Sequence, residues 1–389
     1  VPGINKAYLQ SMFADDGGLL SFFNFISGGA FKNFTIFALS ISPYITSSII
    51  MNLLTIAIPS LEALAKEGEE GRKKIAQYTR YGTVILAVIQ AVGISLGLFR
   101  GALISTDFWS VSVVVITLTA GTAFLMWLGE QITENGIGNG ISLIIFAGIV
   151  SRLPIGTWQT IQKLRTGEAS IIALILFCVI AVVVIAGVIA IQQGTRKIPV
   201  QYAKRVVGRK MYGGHSTHIP LKVNQAGVIP VIFAMSLLQF PLTLTYFFQG
   251  GGFASFVNNY LSPTGNPGVW IYNLLYALLI IFFTYFYTAV TFNPIEVASN
   301  MKQNGGFIPG IRPGKPTSEY LQRTLTRLTL AGAVFLAGIA ILPTLVLSFS
   351  SLQISFGGTA LIIAVGVALE TMKQIEAQMV MRHYQGFLK

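Results

Sequence analysis

Apolar residues gather into nine runs, at about 33–58, 81–98, 109–129, 140–153, 170–191, 223–248, 269–292, 325–347 and 357–380. Runs of this kind predict membrane-spanning helices, because about 20 apolar residues rising ~1.5 Å each cross the hydrocarbon layer. The run at 140–153 is short enough to be re-entrant when taken alone. Ahead of the first run, residues 1–18 are polar and rich in turn formers and read as a loop on one face of the membrane. The segment that follows predicts a helix over about 19–27. Asp16 can cap its start, Ser21, Asn24 and Ser27 recur at helical spacing, and Gly28 with Gly29 stops it. Such a helix reaches only about 15 Å, half the hydrocarbon thickness. It therefore lies in the interface as an amphipathic helix or folds back into the protein as a stopper.

Between the runs the charge is mostly of one sign. Residues 192–222 hold seven cations, Arg196, Lys197, Lys204, Arg205, Arg209, Lys210 and Lys222, and no acid. Each would cost about 2.5–3.5 kcal/mol at the bilayer centre, so this loop stands in water. Alternating the loops puts 59–80, 130–139, 192–222, 293–327 and the tail from 370 on one side, with 20 of the 26 Lys and Arg. Only Lys6, Lys32, Arg100, Arg152, Lys163 and Arg165 fall on the other. Lys and Arg are retained on the cytoplasmic side, which places the basic loops there and the 19–27 helix outside.

Composition agrees: 53% of residues are hydrophobic and 10% charged, with a mean hydropathy of +0.68, against about 25% charged in soluble domains. The fold class is an all-α polytopic membrane protein. The net charge of +12 follows from topology rather than from a nucleic-acid partner. Cys178, the single cysteine, lies in an apolar run, reads as a small buried hydrophobe, and excludes a disulfide framework. His215, His218 and His383 lack a third ligand nearby, so no metal site is expected.

No Asp, Glu, Lys, Arg or His lies well inside a run, and Glu370 falls near a cytoplasmic end. That counts against proton-coupled carriers, while a sodium carrier built from carbonyls and hydroxyls survives. GIRPGK at 310–315 is one residue short of a P-loop and GIGNG at 136–140 follows no strand, so no nucleotide cofactor is expected and any ATP is hydrolysed by a partner. An intramembrane Ser/His set, Asp pair or HExxH is absent, which leaves an embedded enzyme without candidates. In the loop 293–327, Gly305, Gly306, Pro309, Gly310, Pro313, Gly314 and Pro316 build a stiff tip that presents Arg312. A guanidinium held this way suits a bidentate contact on a partner, whereas the scattered lysines enforce topology and attract anionic lipid.

Six stretches carry a resemblance that runs nearly from end to end: SPYITSSII at 42–50, KKIAQYTRYGT at 73–83, GEQITENGIGNGISLIIFAGIV at 129–150, YAKR at 202–205, STHIPLKVNQAGVIPVIFA at 216–234 and GFIPGIRPGKPT at 306–317. With them the chain resembles the SecY family, channel subunits of the bacterial protein translocase. The resemblance implies an inverted-repeat bundle of ten helices in two halves, 1–168 and 169–389 here, with an hourglass pore and a lateral gate. Nine spans are counted, so the family's first helix is expected to precede the segment VPGIN.

By the same resemblance the pore ring is formed by Ile41, Ile45, Ile141, Ile145, Ile232 and Ile363. The 19–27 helix is implied as the plug, with Leu19, Leu20, Phe22, Phe23, Asn24 and Ile26. Thr46 and Gln90 match gate-lining positions that can hydrogen-bond across the closed seam. Lys204, Arg205, Arg209, Lys210 and Arg312 match the surface that docks the SecA motor or a ribosome. SecE and SecG are the implied subunit partners, a precursor with a signal sequence the cargo, and membrane lipid the surroundings. The competing reading is a secondary transporter for a small solute, which would take up solute in liposomes without partners.

Overall fold

The computed structural model describes residues 1–5, 8, 27–167, 171–202, 205–207, 210–212, 216–245, 251–261, 268–349 and 358–386. Every apolar run carries a helix, and most helices outrun their run. In chain order these are α1 (Ser42–Ala57), α2 (Pro59–Lys66), α3 (Glu69–Gly93), α4 (Phe108–Asn135), α5 (Gly140–Val150), α6 (Leu153–Arg165), α7 (Ile171–Gln193), α8 (Ile229–Leu244), α9 (Gly252–Tyr260), α10 (Gly268–Thr291), α11 (Pro294–Gln303), α12 (Lys315–Phe349) and α13 (Gly358–Gly386). Among the described residues, five helical stretches are long and apolar enough to span alone: Glu69–Gly97, Phe108–Asn135, Gly140–Gln162, Gly268–Gln303 and Lys315–Leu342. The pair α1 and α2, bent by 100°, counts as a sixth.

Three differences from the sequence reading have physical causes. The run 33–58 is helical only from Ser42, since the Pro43 ring would clash with the carbonyl of Leu39 in a longer helix. Residues 27–41 form turns instead, with Phe34 and Ser40 at positive φ, and Phe31 and Phe34 pack on Phe99. The stretch 59–80, read as a loop, is helix, where Glu62 pairs with Lys66 at 2.6 Å and Glu69 with Lys73 at 3.8 Å along exposed i,i+4 faces. A helix need not stop where the apolar run stops, because its backbone is satisfied internally in water as in lipid. Cys178, expected inside, is exposed on α7 beside exposed Ile175 and Val179.

The helical fold expected from the sequence is joined, in the two basic loops, by a small sheet. Strand β1 (Thr195–Tyr202) pairs antiparallel with β4 (Ser216–Lys222) from Thr195↔Lys222 to Gln201↔Ser216, while β2 (Arg205–Val207) and β3 (Lys210–Tyr212) form a hairpin between them. On its other edge β1 takes β5 (Gly306–Phe307) from the second loop, through Gln201↔Phe307 and Tyr202↔Gly306. Ile198 and Val200 alternate inward from β1 and pack with Leu221, Met301, Ile308 and Leu321 into a small core of their own. The chain is predominantly helical, with this sheet on its basic side.

Helices α1, α3, α4 and α5 pack in succession, as do α8, α10, α12 and α13, with α7 against α13. The two sets touch at two places, α8 against α1 and α3, and α5 against α13. That double closure surrounds a space with helices.

Candidate functional site

The enclosed space is an open cavity of about 340 Å³ whose wall comes from α1, α3, α4, α5, α8 and α10. Its apolar end is Ile45, Ile141, Ile145, Ile229, Ile232 and Phe233, and its polar end includes Asn52, Arg80, Glu130 and Glu134. Arg80, Glu130 and Glu134 sit where apolar runs give way to the more polar segments 59–80 and 130–139, so the cavity carries its charge toward that side. There Arg80 of α3 donates through Nε to Glu130 Oε1 of α4 at 2.8 Å. Sequence reasoning missed this pair, although a cation and an acid at the matching ends of the second and third runs were a visible signal.

Local chemistry aims the isoleucines. Asn139 caps α5 by accepting from the Ser142 amide at 3.1 Å, and Thr133 Oγ1 accepts from the Gly140 amide at 2.9 Å. A Cβ on Gly140 would stand 2.0 Å from the Gly129 carbonyl, and one on Gly129 would stand 2.4 Å from Ile141 Cδ1. The bare glycines therefore let α5 lie on α4 with Ile141 in the gap. Gly140→Val is expected to destabilise the protein by roughly 1–3 kcal/mol and to displace Ile141, read as a lower thermal midpoint with Gly140→Ala intermediate.

Of the six isoleucines proposed as a ring, four meet on this wall: Ile45 from α1, Ile141 and Ile145 from α5, and Ile232 from α8. Ile41, the residue that caps α1, is almost fully buried one turn away and does not border the cavity. Ile363 of α13 is buried in the same hydrophobic cluster as Ile45, Ile145 and Ile232, behind the wall rather than on it. The plug positions Leu19, Leu20, Phe22, Phe23, Asn24 and Ile26 lie outside the described residues.

A second, smaller cavity of about 30 Å³ lies where α3 meets α8, lined by Gln90, Ile94, Gln239 and Thr243 together with residues 27–42. It has room for roughly one water. Gln90 thus stands on the seam between the two helix sets. Thr46 does not cross it: its hydroxyl donates to the Ser42 carbonyl of its own helix at 3.1 Å. Gln239 and Thr243 take the place on the facing side, and their i,i+4 spacing within an apolar run was the signal for them.

On the basic side, Arg312 is exposed on a turn between Gly310 and Gly314, both at positive φ. Ile308 and Ile311 root this turn in the small core, and the Arg312 carbonyl accepts from Thr317 Oγ1 at 2.9 Å. The guanidinium has no carboxylate partner among the described residues. Arg205 and Lys210 stand on the β2–β3 hairpin that follows β1, whereas Lys204 and Arg209 lie outside the described residues. β1 pairs with β5, which leads into the Arg312 turn, while the β2–β3 hairpin forms a two-stranded sheet of its own directly after β1.

The SecY family model matches residues 35–372. The protein translocase subunit SecY of Halalkalibacterium halodurans is 51% identical, with 100% of this chain and 92% of the relative aligned. That of Escherichia coli is 46% identical, covering 100% and 89%. A solved structure described as a protein conducting channel superposes with a TM-score of 0.67 at 21% identity, over 96% of this chain and 90% of that one. Sec61 in a canine ribosome-channel complex gives 0.60 at 19% identity, over 96% and 90%. None of these supports the small-solute transporter. Family match and full-length identity agree with the closed bundle described above, and the chain belongs to the SecY family.

Proposed function

We propose that the chain is the channel subunit of a protein translocase in a bacterial cell membrane, with its basic loops and C-terminus in the cytoplasm. It passes unfolded secretory polypeptides through its centre and releases apolar segments sideways between α1 with α3 and α8 with α10. It works with SecE and SecG and is driven by SecA or a ribosome. It is not an enzyme: no covalent bond is made or broken in this task, and the energy comes from the partner. The observation that carries the reading is the convergence of Ile45, Ile141, Ile145 and Ile232, from three helices, on the wall of one cavity whose other lining includes Arg80, Glu130 and Glu134.

The chemistry suits this work. Branched apolar side chains offer no hydrogen bonds to a hydrated ion, so a waist made of them resists leakage, yet they can give way around a chain. Gln90, Gln239 and Thr243 keep the seam between α3 and α8 polar, hence separable, where a continuous apolar contact would close it permanently. The ring, the plug, the gate polar pair and the basic docking surface are all part of this proposal, as is the division into halves at 168. The test is reconstitution of the complex in proteoliposomes. A signal-bearing precursor is expected to become protease-protected only with motor and ATP present, and protection that is unchanged without the chain would end the reading.

A further inference from the structure

One face of α12 changes character along its length. Glu319, Gln322, Arg323, Thr326 and Arg327 are exposed and line a shallow open pocket of about 390 Å³. From the next turn, the same exposed face continues as Leu330 and Val334, which are 49% and 53% exposed. Arg323 and Arg327 lie one turn apart, about 6 Å along the axis, and neither forms an ion pair among the described residues. Glu319, one turn before Arg323, lines the same pocket, so the two guanidiniums leave it one positive charge in excess.

The neighbouring helix completes the site. Tyr285 of α10 donates its hydroxyl to the Thr326 carbonyl at 3.2 Å, which holds α10 beside this turn of α12. The two helices run in opposite directions, so exposed Phe282 of α10, one turn before Tyr285, lies level with Leu330. Two cations without an ion pair among the described residues therefore border exposed apolar side chains that begin three residues further along α12.

We propose that Arg323 and Arg327 hold the phosphate of an anionic phospholipid from the cytoplasmic leaflet, with its acyl chains along Leu330, Val334 and Phe282. An acidic protein segment would match the two arginines equally but has no use for the apolar continuation, and a free phosphate would leave it unused. A lipid matches both parts. Guanidinium suits the ligand because it binds phosphate through two parallel N–H donors, and juxtamembrane cations draw anionic lipid by charge alone.

The experiment is native mass spectrometry of the assembled complex released from nanodiscs of phosphatidylglycerol and phosphatidylcholine. Retained phosphatidylglycerol is expected to fall about five-fold for Arg323→Gln or Arg327→Gln and roughly 25-fold for the double variant. Arg196→Gln, on exposed β1, is the control and should leave it unchanged. Arg323→Lys with Arg327→Lys should fall between wild type and the double Gln variant, because the charge remains but the paired donors do not. Equal retention by wild type and the double Gln variant overturns the site. Displacement by millimolar inorganic phosphate or by polyglutamate, as effective as displacement by added phosphatidylglycerol, overturns the lipid assignment.

Discussion

Serine at Ile45, Ile141, Ile145 and Ile232 together is expected to raise the resting ion conductance of the complex in a planar bilayer by roughly ten-fold or more. These four side chains border the cavity, and only there does an added hydroxyl meet ions and water. Serine at Ile363 separates the two roles an isoleucine can have. Ile363 is buried in the shared cluster, so its loss should cost about 2–5 kcal/mol of stability, as large-to-small changes in cores do, with little change in current. Ile41, buried and off the wall, should behave like Ile363. Single-channel recording beside a thermal midpoint for each variant checks the division. A quadruple variant that stays as tight as wild type would remove the seal from these residues.

Arg312→Glu is expected to reduce motor-driven export of a precursor by roughly 100-fold while the protein inserts and folds normally. The side chain is exposed and unpaired among the described residues, so its replacement should change stability by no more than about 0.5 kcal/mol. Its effect would come through the partner, where reversing a charge turns a charge-assisted contact into repulsion. Arg312→Lys keeps the charge but not the two-pronged geometry, and an intermediate rate is expected. Thr317→Val removes the hydroxyl that holds the Arg312 carbonyl, which loosens the turn without touching its charge. A smaller loss for Thr317→Val than for Arg312→Glu would separate placement of the guanidinium from its presence. Export by Arg312→Glu at the wild-type rate would dismiss the role.

How much of this was legible beforehand differs from one element to another. Each of the nine apolar runs carries a helix, although among the described residues only five helical stretches, or six with the bent α1–α2 pair, are long and apolar enough to span. Helix ends were not legible from hydropathy: α3 and α12 begin well before their apolar runs, on charged residues that hold a helix as well as apolar ones do. The β1–β4–β5 sheet was missed because Lys and Arg dominated the reading of 192–222, although Ile198 and Val200 alternate with exposed neighbours as a half-buried strand requires. Pairing with β5, more than 100 residues away, has no local signature.

The amino-acid sequence alone determined the class of molecule, the gathering of its cations into a few loops and, through its long shared motifs, the family. These are set by composition and by short-range order, since hydrocarbon excludes charge wherever the chain turns next. The tertiary structure decided which isoleucines face the cavity, which polar groups meet at the seam, and that two distant basic loops share one sheet. Isoleucine is common in every spanning helix, and its role is chosen only when bare glycines at 129 and 140 bring α4 and α5 together and α8 closes against α1 and α3. Rotation of a helix about its own axis costs the sequence nothing to write down, and packing alone selects one angle.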